Sequence, residues 1–141
     1  MLGNLYEDKE KSEQAYRLAA RGEFNLSSAM YYNDQPPQMM YYSAKAIEAL
    51  GDKDEAKKRF NAFIEYANNH MNDEMKIDYF AVSLPDFLIF EGDLNKNNKV
   101  HCNLMAALGY LGIGDNDNAQ KYAKQGLELN QCHAELRDIV K

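Results

Sequence analysis

Along this chain apolar residues recur every three or four positions, the spacing that places them on one face of a helix. The pattern is clearest at 39–67, MMYYSAKAIEALGDKDEAKKRFNAFIEYA. Tyr42, Ala46, Ala49 and Leu50 precede the Gly51-Asp52 pair, and Ala56, Phe60, Phe63, Ile64 and Ala67 follow it. Gly51 can end the first helix in a left-handed conformation. Asp52 can cap the second, and Glu55 three residues on completes a capping-box pattern. Two helices joined by so short a turn form an antiparallel hairpin.

The same reasoning predicts helix over 6–21, with Tyr16, Ala19 and Ala20 on one face and Gly22 as the stop. A short helix is expected over 25–32, and Pro36-Pro37 suits the first turn of the next. A helix over 73–83 is halted by Pro85, since the residue before a proline avoids the helical region. A short helical segment follows to Phe90. Glu91 to Asn98, EGDLNKNN, reads as a loop. Helix resumes near Lys99 and runs through Leu104, Leu108 and Leu111 to Gly112 or Gly114. Asp115 caps another helix to Leu129, and a last one covers 134–140. No period-two alternation is present, so the expected fold class is all-α.

Three turn-plus-helix segments overlay: EDKEKSEQAYRLAA (7–20), GDKDEAKKRFNAFI (51–64) and GDNDNAQKYAKQGL (114–127). Each places a small residue at the same register, Ser12, Ala56 and Ala119. An aromatic follows at Tyr16 and Phe60, and one place early at Tyr122. This pattern resembles the tetratricopeptide repeat, whose units of about 34 residues place Gly-Asp at the turn and Ala and an aromatic beyond it. The segments lie farther apart than that, and none has the closing proline. The resemblance implies antiparallel hairpins stacked as an irregular right-handed superhelix.

YYNDQPPQMMYYSAKAIEALG (31–51) and KIDYFAVSLPDFLIFEGDLNKNNKVHCNLMAALGYLGIGD (76–115) carry a second likeness. They resemble the C-terminal helical-repeat region of a group of large bacterial multidomain proteins of unknown function, with DYFAVSLPD as the most specific part. In that group the helical region follows domains that look like carbohydrate-active β-sandwiches. The resemblance implies that 1–141 is a single helical-repeat domain cut from a longer protein, with any catalytic chemistry outside it.

Composition narrows the partners. A net charge of −6 on 141 residues argues against broad nucleic-acid binding, which needs a concentrated basic surface. No apolar run approaches the roughly 20 residues needed to cross a bilayer, so no membrane insertion is expected. Two cysteines and no secretory signal in this stretch favour a reducing, cytoplasmic setting.

His101-Cys102 and Cys132-His133 invite a zinc reading, but adjacent helical residues diverge and cannot share an ion, so no metal or other cofactor is expected. Those cysteines flank one predicted hairpin, which leaves a disulfide geometrically open, with free thiols favoured. Asp34, Asp73, Glu74, Asp78, Asp86, Glu91 and Asp93 could supply a carboxylate pair for glycoside hydrolysis. Their places at caps and first turns are explained by helix N-termini alone. Lys57-Lys58-Arg59 reads as a solvated helix face.

Three adjacent aromatic pairs, Tyr31-Tyr32, Tyr41-Tyr42 and Tyr79-Phe80, stand out, because a helix can bury only one of two neighbours squarely. The expected interaction surface is Tyr31, Tyr32, Asp34, Gln35, Tyr79, Phe80 and Asp86, against the plainer reading of packing between helices. The expected function is a non-catalytic module for contacts with a protein or with neighbouring domains of the parent chain. The alternative is an accessory region of a carbohydrate-active enzyme, adding Tyr79 or Asp86 to a site completed elsewhere.

Overall fold

The structure is a computed structural model that describes Gly3 and residues 8–22, 24–27, 36–74 and 87–140, with side chains from residue 94 onward in the longest helix. The described residues form six helices packed together and no strand. They are α1 (Lys9–Ala20), α2 (Pro37–Ala49), α3 (Lys53–His70), α4 (Phe87–Ile113), α5 (Asn116–Leu129) and α6 (Ala134–Ile139). Each packs on its neighbour in chain order, and α4 also meets α2 and α6. Every contact between described helices joins elements one or two apart.

The two Gly-Asp turns are built alike. Gly51 (φ 103°) and Gly114 (φ 86°) take the left-handed conformation that a side chain would strain. Gly51 N–H donates to Glu48 O at 3.0 Å and Asp52 N–H to Ile47 O at 3.2 Å. Gly114 N–H and Asp115 N–H repeat this on Leu111 O and Tyr110 O, at 3.2 and 2.9 Å. Both are Schellman closures, which satisfy the last free carbonyls of a helix. The carboxylates of Asp52 and Asp115 then accept from Glu55 N–H and Asn118 N–H at 3.0 and 3.1 Å. The capping box at Asp52 is only half made. Glu55 turns its carboxylate to Arg59 Nε at 3.0 Å, while the Asp52 N–H is already spent on Ile47.

Small residues set the helix spacing. Ala56 and Ala119, at the shared register, are fully buried. Gly109 and Gly112 bring α4 against α3: a Cβ at Gly109 would lie 2.7 Å from Phe60 O, and one at Gly112 would enter the Phe60 ring. Phe63 and Ala67 of α3 join Leu104, Met105, Ala106 and Ala107 of α4 in the main core. Phe60 forms a second cluster with Ala44 and Ala56.

Three expectations fail here, each because long-range packing overrides local preference. The stretch 91–98 is helix, continuous within α4, not a loop. Asn98, a poor helix former, is buried because its amide Nδ2 donates to His70 O at 2.7 Å. Residues 25–27 are not helical. Phe24 instead meets Phe63 edge-on at 5.5 Å, and Leu26 packs on the main core. Arg59 is not a solvated lysine-like charge: it lies 5.1 Å over the Phe24 ring and reaches Ser43 Oγ at 3.4 Å. The predicted helix over 73–83 falls mostly outside the described residues.

Both cysteines are free thiols, Cys102 buried and Cys132 exposed. Burial, with a smaller push from nearby Asp73, raises the Cys102 thiol to about 12. The thiolate is the reactive form, so Cys102 is inert while the protein is folded. A thiol reagent at neutral pH will modify Cys132 rapidly and Cys102 only once denaturant is added, as read by mass spectrometry. Equal rates for the two would contradict this packing.

Candidate binding groove

The seven residues singled out above, Tyr31, Tyr32, Asp34, Gln35, Tyr79, Phe80 and Asp86, lie outside the described residues. The described structure presents a different concavity, a groove of about 560 Å³. Each bordering helix contributes positions three or four apart, so each turns one face to it. Leu108 and Leu111 of α4 form the floor, extended by Ile139 of α6. Gln38, Tyr41 and Tyr42 of α2 make one wall. Glu135 and Asp138 of α6 face them, and Asn116 and Gln120 from the start of α5 close the rim.

Packing behind the walls fixes these side chains. Tyr41 rests against Phe60, ring centres 5.7 Å apart, and Tyr42 leans edge-on to Tyr41 at 5.4 Å. Tyr42 stays about half exposed, 49%. Burial first, then Tyr42 and Glu48, push the Tyr41 hydroxyl up to about 12. It therefore remains a neutral O–H donor at physiological pH, unsuited to act as a base.

The opposite wall depends on the chain reversal after α5. Asn130 Oδ1 accepts from Cys132 N–H at 3.2 Å, and Asn130 O accepts from His133 N–H at 3.3 Å. Leu136 then seats on Gly126, where a Cβ would lie 2.5 Å from its Cδ1. Gln120 Nε2 donates to Ile139 O at 2.5 Å, tying the end of α6 to α5. Glu135 lies 3.1 Å from the His133 ring. Asp138 is exposed and has no ion partner among the described residues. Among the described residues no lysine or arginine lines the groove.

The His101-Cys102 pair sits elsewhere and is spent on the fold, while His133 stands beside Glu135 and Cys132 is exposed. His101 Nε2–H donates to Ser27 O at 2.9 Å, and the Cys102 thiol points to Asn98 Oδ1 at 3.8 Å. Among the described residues no three His, Cys, Asp or Glu side chains are placed to hold a metal. Asp73 pairs with the His70 ring at 2.6 Å. Asp34, Asp78 and Asp86, and the side chains of Glu91 and Asp93, lie outside the described residues.

Burial lowers the His101 pKa from 6.5, opposed by the Ser27 hydrogen bond and aided by His133. Below about pH 6.5 the unfolded chain therefore takes up a proton that the folded chain refuses. Stability from this site is complete above that pH and falls as pH drops toward the lower folded value, by at most about 1.4 kcal/mol per pH unit. Urea midpoints will fall between about pH 7.5 and about pH 5.5. His101→Gln will flatten that decline; an equal decline in the variant would contradict the assignment.

Of the groove, the sequence marked Tyr41-Tyr42 as an aromatic pair and Leu108 and Leu111 as apolar helix positions. Glu135, Asp138, Asn116 and Gln120 look like ordinary surface residues until α6 is seen to pack beside α4. No helix is long and apolar enough to cross a membrane among the described residues. Neither a protein-family model nor a solved structure matches the chain.

Proposed function

We propose that the chain is a non-catalytic helical-repeat module of tetratricopeptide-like, right-handed superhelical form. Its groove holds a segment of a partner protein or of a neighbouring domain in a longer parent chain. The observation that carries this reading is which helices line the groove. Most of its lining comes from α2, α4 and α6, alternate elements separated in the chain by α3 and α5, with Asn116 and Gln120 of α5 at its edge. Stacked helical hairpins present alternate helices on one inner face and use it for binding. Two further features agree with it: contacts between the described helices reach no farther than two elements along the chain, and two matching Gly-Asp turns recur in register. The groove's volume lies in the range of sites that hold a ligand.

The test is selection from a random-peptide display library against the isolated chain. Enriched peptides are expected to bind the wild type and to lose about tenfold in affinity on Tyr42→Ala, since exposed aromatics anchor interfaces. Lys58→Ala, on the outer face of α3, should leave binding unchanged. Circular dichroism and urea midpoints establish that both variants fold. A library that enriches nothing, or peptides indifferent to Tyr42→Ala, would defeat the reading. Soluble glycans binding instead of peptides, with the same dependence on Tyr42, would favour an accessory role in carbohydrate chemistry.

A further inference from the structure

The groove is asymmetric in charge, and that asymmetry selects an occupant. Its floor is aliphatic, its α2 wall is a tyrosine pair, and its α6 wall carries Glu135 and Asp138. Among the described residues no lysine or arginine lines it; Glu135 has the His133 ring at 3.1 Å, whereas Asp138 has no ion partner. The nearest basic residue on the α2 wall's own helix, Lys45, is bound to Glu48. The chain as a whole carries a net charge of −6, so a negatively charged segment would meet repulsion at long range as well as in the groove.

The geometry points to an extended peptide segment with a lysine or arginine flanked by aliphatic residues as the groove's occupant. This rests on the binding-module reading above and narrows it. An arginine or lysine stem is apolar and can lie along Leu108, Leu111 and Ile139 while its charged head reaches Asp138. The exposed Tyr42 ring offers its face to the same cation, an attraction that desolvation strengthens. Flanking aliphatic side chains fill the remaining floor. Asn116, at the α5 rim, supplies an amide able to bond the peptide backbone.

A positional-scanning library of blocked octapeptides tests this, with one central position set to Arg, Lys, Gln, norleucine or Glu. Arg and Lys peptides should bind tightest and Glu peptides weakest. Asp138→Asn should reduce the preference for Arg over Gln about threefold, and Glu135→Gln with Asp138→Asn should abolish it. Both variants should retain their affinity for the norleucine peptide, a readout that unfolding would not spare. Binding of the Arg peptide should also weaken between roughly 0.1 M and roughly 1 M salt, while that of the norleucine peptide should not. Equal affinity for Arg, Gln and Glu peptides, or an Arg preference untouched in the double variant, would overturn the basic-segment assignment and leave the module reading standing. Failure of every peptide in the set and in the display library would overturn both.

Discussion

Phe60→Ala will cost the fold about 3–5 kcal/mol, the range for removing a fully buried aromatic side chain. That is a large share of the roughly 5–15 kcal/mol that holds a domain of this size together. Phe60 is 1% exposed and joins three helices. It packs with Ala44 of α2 and Ala56 of its own helix, and its backbone and ring lie against Gly109 and Gly112 of α4. Ala44, Ala56, Gly109 and Gly112 have no long side chains to swing into the space, while Tyr41 and Ile47 also border it. Tyr41 also leans on this ring, so the α2 wall of the groove loses its backing. Urea unfolding with a single cooperative transition gives the number; a loss under about 1 kcal/mol would mean the ring is not packed as described.

Gly109→Ala will destabilise the protein by about 1–3 kcal/mol, although alanine is intrinsically the better helix former by about 1 kcal/mol. The new methyl would meet Phe60 O at 2.7 Å and Ile64 Cγ1 at 2.7 Å. The side chain could turn away; the carbonyl cannot move without prising α3 from α4. Gly112→Ala differs in kind, because its nearest atoms all belong to the Phe60 ring. Shortening that ring should relieve the clash. The double variant Gly112→Ala with Phe60→Leu is therefore expected to lose less stability than the two single variants summed. Gly51 and Gly114 give a contrasting control, because a side chain there would strain the backbone while meeting no atom within 4 Å. Stabilisation by Gly109→Ala would show that α3 and α4 do not approach this closely.

The helices were legible wherever the signal was local. Gly51 and Gly114 announce their turns through a conformation that only the chain's own backbone requires, and Asp52 and Asp115 announce the helix starts that follow. The stretch 91–98 was illegible for the opposite reason. Its Gly and Asn content argues for a loop, and what makes it helical is partly a partner far away in sequence: Asn98 serves the His70 carbonyl. Arg59 follows the same logic, since nothing in a run of three basic residues says that one of them will cover Phe24. The groove was the least legible feature. Tyr41 and Tyr42 could be picked out as an aromatic pair, but Glu135 and Asp138 acquire meaning only once α6 lies across α4 from α2. A groove assembled from four separate helices has no contiguous motif.

The groove also depends on the same small residues that set the core. Gly109 and Gly112 position α4, Gly126 admits Leu136 and so positions α6, and Phe60 supports Tyr41. Substitutions at these buried places should weaken binding through the walls they hold, without touching the bound segment.

The most direct test of the central claim is chemical-shift mapping on the isotope-labelled chain during titration with a display-selected peptide. Perturbed signals should cluster on Gln38, Tyr42, Leu108, Leu111, Asp138 and Ile139, while Lys57, Lys58 and Asn61 on the outer face of α3 stay unmoved. Perturbations centred on the outer face of α3, with the α2, α4 and α6 signals unchanged, would contradict it.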